Sequence, residues 1–148
     1  MKWLSIDYVL QLHKKIIYRT GGAPGIRDIT LLQSAIYNAR ATFDGQDLYP
    51  GLESKIAAVC YGVINNHPFV DGNKRMGIYL MLILLDYNDY HITYTEDELV
   101  DLGFAIAEGI LSKEYIARWI KEHSINKSSP PAMSSRKAVG AEYHTDTR

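Results

Sequence analysis

Nine consecutive residues, His67-Pro68-Phe69-Val70-Asp71-Gly72-Asn73-Lys74-Arg75, concentrate the groups that could do chemistry. His67 carries an imidazole that titrates near neutral pH and can take a proton from an attacking hydroxyl, a task worth roughly 100- to 10,000-fold in rate. Asp71, when ionised, only accepts hydrogen bonds. It suits a magnesium ion, which is usually held by one or two carboxylates together with phosphate oxygens. Gly72 lets a ligand approach the backbone closely, or lets the chain take a conformation closed to other residues. Lys74 supplies a point charge and Arg75 a two-pronged fork for phosphate. Phe69 reads as the anchor, its ring dipping into the core to hold the loop's shape.

The placement of these groups adds to their identity. Asn73 opens a long apolar segment that reads as a helix, so the loop faces the unpaired N–H groups of a helix start, where about half a positive charge gathers anions. Lys74 and Arg75 fall in that first turn, where a cation opposes the helix dipole by about 0.3–1 kcal/mol. Two cations there are better explained by a bound polyanion, with a triphosphate the natural candidate. Singly, each residue has an ordinary reading: His67 at a helix end, Asp71 or Asn73 as caps, Lys74 and Arg75 as solvated charges. Together they describe a phosphate site and do not name a reaction.

The elements that must position this loop are helical. Apolar residues recur at helical spacing, which predicts an all-α fold of about six helices. They run from Ser5 to about Ile17, Asp28 to about Arg40, Leu52 to Asn66, Asn73 to Tyr87, Thr95 to about Glu108 and Ser112 to about His123. The fourth is apolar on nearly every side and belongs in the middle of the bundle. Thr95-Glu96-Asp97-Glu98 is a capping-box pattern, and Asp97 and Glu98 suit a first helical turn. Residues 20–25 and 44–50 read as connections, and His91-Ile92-Thr93-Tyr94 as a short extended piece with Tyr87, Tyr90 and Tyr94 packing around it.

With 148 residues the chain has room for one domain, placed at residues 1–124. From Ile125 the sequence turns small and polar without periodicity, and 125–148 reads as a disordered tail. A net charge of -1 argues against direct nucleic-acid binding, and an apolar run limited to Ile78–Leu85 falls far short of the roughly 20 residues a bilayer span needs. The start of the chain lacks a signal-peptide pattern, which points to the cytoplasm. The lone Cys60 lies in an apolar helix and reads as a small buried hydrophobe. His13, His91 and His123 lack metal-ligand spacing, and Arg19 reads as solvated.

The nine residues resemble the signature of the Fic/Doc superfamily, His-Pro-Phe-x-(Asp/Glu)-Gly-Asn-Gly-Arg with a second Arg further on. Lys74 stands in place of the glycine and Ile78 in place of the second Arg, and both departures are those of the death-on-curing, or Doc, branch. Residues 21–28, running into Leu32-Gln33-Ser34-Ala35-Ile36, are also similar to that branch. The resemblance implies a compact helical bundle acting as the toxin of a toxin–antitoxin pair. Such a toxin is a kinase that moves the γ-phosphate of ATP, with magnesium, to a Ser/Thr hydroxyl of elongation factor Tu and so blocks translation. By carry-over His67 is the general base, Asp71 positions that chemistry or the metal, and Gly72, Asn73, Lys74 and Arg75 hold phosphates.

Inhibitory Fic helices carry Ser/Thr four residues before a Glu; here Phe104 precedes Glu108-Gly109. Inhibition is therefore expected in trans, from a Phd-like or other antitoxin. Two rivals stand beside this reading. A Fic-type adenylyltransferase would leave AMP on its target, and a non-catalytic antitoxin-binding module would keep its biological activity in His67→Ala. If the Lys74 side chain disfavours the AMP-transfer pose, Lys74→Gly will move label from γ-labelled toward α-labelled ATP on the target. An unchanged product pattern would reject that role.

Overall fold

A computed structural model describes residues 1–125, so the tail expected at 125–148 lies, but for Ile125, outside the described residues. Six helices carry the fold: α1 (Ile6–Thr20), α2 (Ile29–Tyr37), α3 (Leu52–Asn66), α4 (Asn73–Tyr87), α5 (Glu96–Ala107) and α6 (Lys113–Glu122). Their starts follow local chemistry. The side chains of Ser5, Asp28, Thr95 and Ser112 each accept a backbone N–H of the first turn, and Thr95 with Glu98 completes the capping box.

The all-α expectation holds. The apolar α4 lies in the core, with Leu80, Met81, Ile83, Leu84 and Leu85 at 2% exposure or less. It shares the centre with α3, which packs against α2, α4, α5 and α6. Small residues make α3 the hub, because they let neighbouring backbones come close. A Cβ on Gly62 would lie 2.9 Å from the Ala35 Cβ, and one on Gly77 of α4 would lie 3.0 Å from the Cys60 carbonyl oxygen.

Two connections carry more structure than their composition suggests. Thr42–Phe43 (β1) and Gln46–Asp47 (β2) pair antiparallel around Asp44-Gly45, both at positive φ (53° and 77°). Asp-Gly is the turn dipeptide that this twist favours, so the hairpin was open to reading from sequence. The extended piece at His91–Tyr94 bridges Ile92 to Ser124 and thereby ties the end of α6 to the entry of α5. His123 secures the same junction: its ring stacks on Trp119, Nδ1 lies 2.7 Å from the Trp119 carbonyl and Nε2 lies 2.5 Å from Glu98. Glu98 is thus more than a first-turn charge. Among the described residues no helix is long and apolar enough to cross a membrane.

The contact of α3 with α4 sets the loop between them. Gly77→Ala would drive a methyl into Ile64 at that contact. It is expected to cost about 1–3 kcal/mol, as overpacking does, read as a lower midpoint in denaturant unfolding. A midpoint equal to wild type would contradict the tight packing.

Candidate functional site in the loop between α3 and α4

The loop begins where α3 stops. His67 takes a left-handed conformation (φ 51°, ψ 55°), which is sparsely used by residues other than Gly and Asn, and Pro68 prevents the helix from continuing. A helix end leaves carbonyls without partners. Arg27 supplies them: its Nε–H donates to the His67 carbonyl at 2.7 Å and Nη2 to that of Asn66 at 3.0 Å. The N–H groups of Arg27 and Asp28 both donate to the Pro68 carbonyl. The segment from Gly21 to Asp28 is therefore the second wall of the loop. His67 is exposed, and its imidazole makes no hydrogen bond among the described residues, which leaves both ring nitrogens open to an incoming group.

Phe69 is 1% exposed, as an anchor should be. Its backbone is closed off by Asn73, whose Oδ1 accepts the Phe69 N–H at 2.9 Å while Nδ2 donates to the Phe69 carbonyl at 3.0 Å. Asn73 does not cap α4. The cap residue is Gly72 (φ 78°), and no side chain caps the helix. The first helical bond runs from Met76 N–H to the Gly72 carbonyl, so among the described residues the N–H groups of Asn73, Lys74 and Arg75 have no acceptor. The Asn73 amide is thus committed to the loop, while its backbone N–H has no acceptor among the described residues.

Asp71 is held by N–H groups. Its Oδ2 accepts from Ala23 at 3.0 Å and its Oδ1 from Gly72 at 2.8 Å. These bonds, with Arg75 nearby, hold its carboxyl below the usual range. A Cβ on Gly22 (φ 116°) would sit 2.7 Å from Asp71 Oδ2 and 3.0 Å from Arg75 Nη2, so only glycine allows this approach. Each carboxylate oxygen keeps a further lone pair, which is compatible with magnesium. Among the described residues no cluster of three or more His, Cys, Asp or Glu could hold a metal. Asp71 would therefore share the ion with phosphate oxygens, and its chemistry there would be charge neutralisation.

The two cations are placed by tertiary neighbours. Arg75 Nη1 donates to the Thr20 hydroxyl and, at 2.8 Å, to the Gly21 carbonyl. That is the C-terminal end of α1, where a cation is favoured, and it offsets the unfavourable position at the start of α4. Lys74 leans the other way. Its stem lies against Gly103 of α5, and its Nζ sits 3.4 Å from the centre of the Phe104 ring. A groove of about 500 Å³ opens beside them, lined by Lys74, Arg75, Ile78, Leu82, Leu99 and Gly103 among others, with His67 outside it.

The model of the Fic/DOC family matches residues 3–85, from α1 through the loop to α4. The chain belongs to this family. It is 46% identical over 55 residues to Toxin Doc of Mycolicibacterium smegmatis, a match covering 37% of this chain and 42% of that protein. It is 29% identical over 120 residues to Protein kinase doc of Escherichia phage P1, covering 79% of this chain and 91% of that one. Less than half of the first relative's length is thus spanned. Both relatives carry the name of the branch that the Asn73-Lys74-Arg75 ending resembles.

The Fic/DOC loop in this chain depends on two residues whose roles the motif did not announce, Arg27 and His13. Arg27 belongs to the Gly21–Asp28 segment, but nothing in its spacing says that it closes α3. His13 falls on the buried face of α1 with Val9, Leu12, Ile16 and Ile17. That period was legible, although what the ring bonds to was not. Asn73→Ala would leave both backbone groups of Phe69 buried without partners. It is expected to destabilise the protein by about 2–4 kcal/mol, measured by denaturant unfolding; a loss well under 1 kcal/mol would show that the loop does not need this amide.

Proposed function

We propose that this protein is a Doc-like toxin, a kinase that transfers the γ-phosphate of ATP to a Ser/Thr hydroxyl of a translation factor, elongation factor Tu being the expected target. The observation that carries the reading is the open start of α4. Among the described residues three helix N–H groups lack acceptors, Lys74 and Arg75 belong to the same turn, and at the other end of the loop His67 presents an exposed imidazole with no hydrogen bond. Such an arrangement suits a reaction that needs little covalent chemistry from the protein and much positioning and charge stabilisation.

In this mechanism His67 accepts the proton of the substrate hydroxyl as its oxygen attacks the γ-phosphorus, and the bond from that phosphorus to the β–γ bridging oxygen breaks to release ADP. The N–H groups of Asn73, Lys74 and Arg75 hold phosphate oxygens through the helix dipole, with the Gly72 backbone close by. Asp71 would hold magnesium, which when bound neutralises phosphate charge. Lys74 can swing from Phe104 toward the phosphates, since both are exposed to solvent at least in part. An antitoxin acting in trans is the expected control, and the cytoplasm, where translation runs, the expected site of action.

The deciding measurement is the intact mass of purified elongation factor Tu after incubation with this protein, ATP and magnesium. A gain of one phosphate is expected, and His67→Ala should slow it by about 100-fold or more. A gain of AMP would mean adenylyl transfer instead. An unmodified factor, with the host still poisoned by His67→Ala, would mean that toxicity comes from binding alone.

A further inference from the structure

We propose that His13 is a positioning residue that decides where α4 begins, and through that keeps the phosphate-facing N–H groups open. It rests on the phosphotransfer reading above, and it touches no substrate. His13 lies in the middle of α1 at 1% exposure, and with Asn73 it is one of two buried polar residues among those described. Burying an imidazole is unfavourable unless its polar atoms are bonded. At this position, between Leu12 and Ile16 in the core, an apolar side chain would fill the volume at no such cost.

The ring grips the loop in two ways. Its face stacks on Phe69, with centroids 3.9 Å apart and planes within 8°. Its Nε2 lies 2.8 Å from the Asp71 carbonyl oxygen. A carbonyl only accepts, so Nε2 carries the proton. One side chain from α1 thus fixes the residues on either side of Val70.

The consequence lies at the start of α4. In a helix wound one residue further back, the Asp71 carbonyl would accept the Arg75 N–H. Here that carbonyl is turned to His13, and the first helical bond instead joins Met76 to Gly72. Among the described residues the Arg75 N–H is therefore left without an acceptor and is open to an anion. The same contact fixes the backbone of Asp71, whose carboxylate reaches Ala23 and Gly72.

Two variants separate the stack from the donor. His13→Phe keeps a ring against Phe69 and loses the N–H. His13→Gln keeps a donor at about the same reach and loses the ring. Phosphate transfer to elongation factor Tu is measured together with amide exchange at Arg75. His13→Phe is expected to lower kcat by about 10- to 100-fold, the scale of a small misplacement, with KM for ATP changed far less, and to slow exchange at Arg75. His13→Gln should restore most of the kcat. Equal loss in both variants, tracking their thermal stability, would overturn the assignment, as would wild-type kcat in His13→Phe. Should His13→Phe not fold, a folded His13→Gln decides: near-normal kcat supports the role, and loss comparable to His67→Ala overturns it. If wild-type protein transfers no phosphate, the reading of the reaction has failed. Arg75 exchange then judges His13 alone, slower in His13→Phe for the proposal and unchanged or faster against it.

Discussion

The reciprocal pair between the Asn73 amide and the Phe69 backbone is the constraint on which the rest of the site depends. Phe69 has to be buried for its ring to anchor the loop, and burial takes its N–H and carbonyl away from water. Unsatisfied, those two groups would oppose the fold, since each buried polar group without a partner costs about 1–3 kcal/mol. A single side chain four residues on satisfies both. Because the Asn73 amide turns inward to do this, it cannot cap its own helix. The opening turn of α4 is left to Gly72, which has no side chain to offer. The missing side-chain cap at the start of α4 is thus a by-product of how the anchor is held.

The second wall works by the same logic of satisfying groups that the loop leaves over. Arg27 closes the end of α3, Ala23 and Gly72 bind the Asp71 carboxylate, and Arg75 reaches across to the end of α1. Charge is balanced locally, although the chain as a whole is nearly neutral. The cation that opposes one helix dipole is placed at the favourable end of another, so Arg75 is stabilised by α1 even without a ligand. Lys74 finds an aromatic face on α5. Two cations in a first helical turn therefore do not by themselves require a bound polyanion. The stronger indication is that the backbone N–H groups of Asn73, Lys74 and Arg75 have no acceptor among the described residues.

Helix starts were legible because they are local. Ser5, Asp28, Thr95 and Ser112 each bond within three residues of themselves, and α3 and α4 have the bounds their apolar spacing predicts. The Asp44-Gly45 hairpin carries a local signal as well, although the composition of residues 44–50 reads as a plain connection. Phe69 as anchor also followed from local chemistry, an aromatic in a loop between two apolar helices. What local chemistry does not reveal is which way each polar side chain turns. From its position Asn73 reads as a cap or a phosphate ligand, and its side-chain amide turns to the Phe69 backbone. Lys74 reads as a phosphate-holding cation in the first turn of α4, and here its side chain lies against Gly103 and Phe104.

From its sequence alone this chain determined a helical fold, a loop of fixed composition between α3 and α4, and membership in a family through a motif whose residues are contiguous. Only the tertiary structure decided how each of those residues is used. His13 is 58 positions from Asp71 and Arg27 is 40 from His67, and no periodicity reveals such pairs. The physical reason is that a side chain's capacity to bond is set by its type, whereas its partner is set by which backbone groups the packing has taken from water.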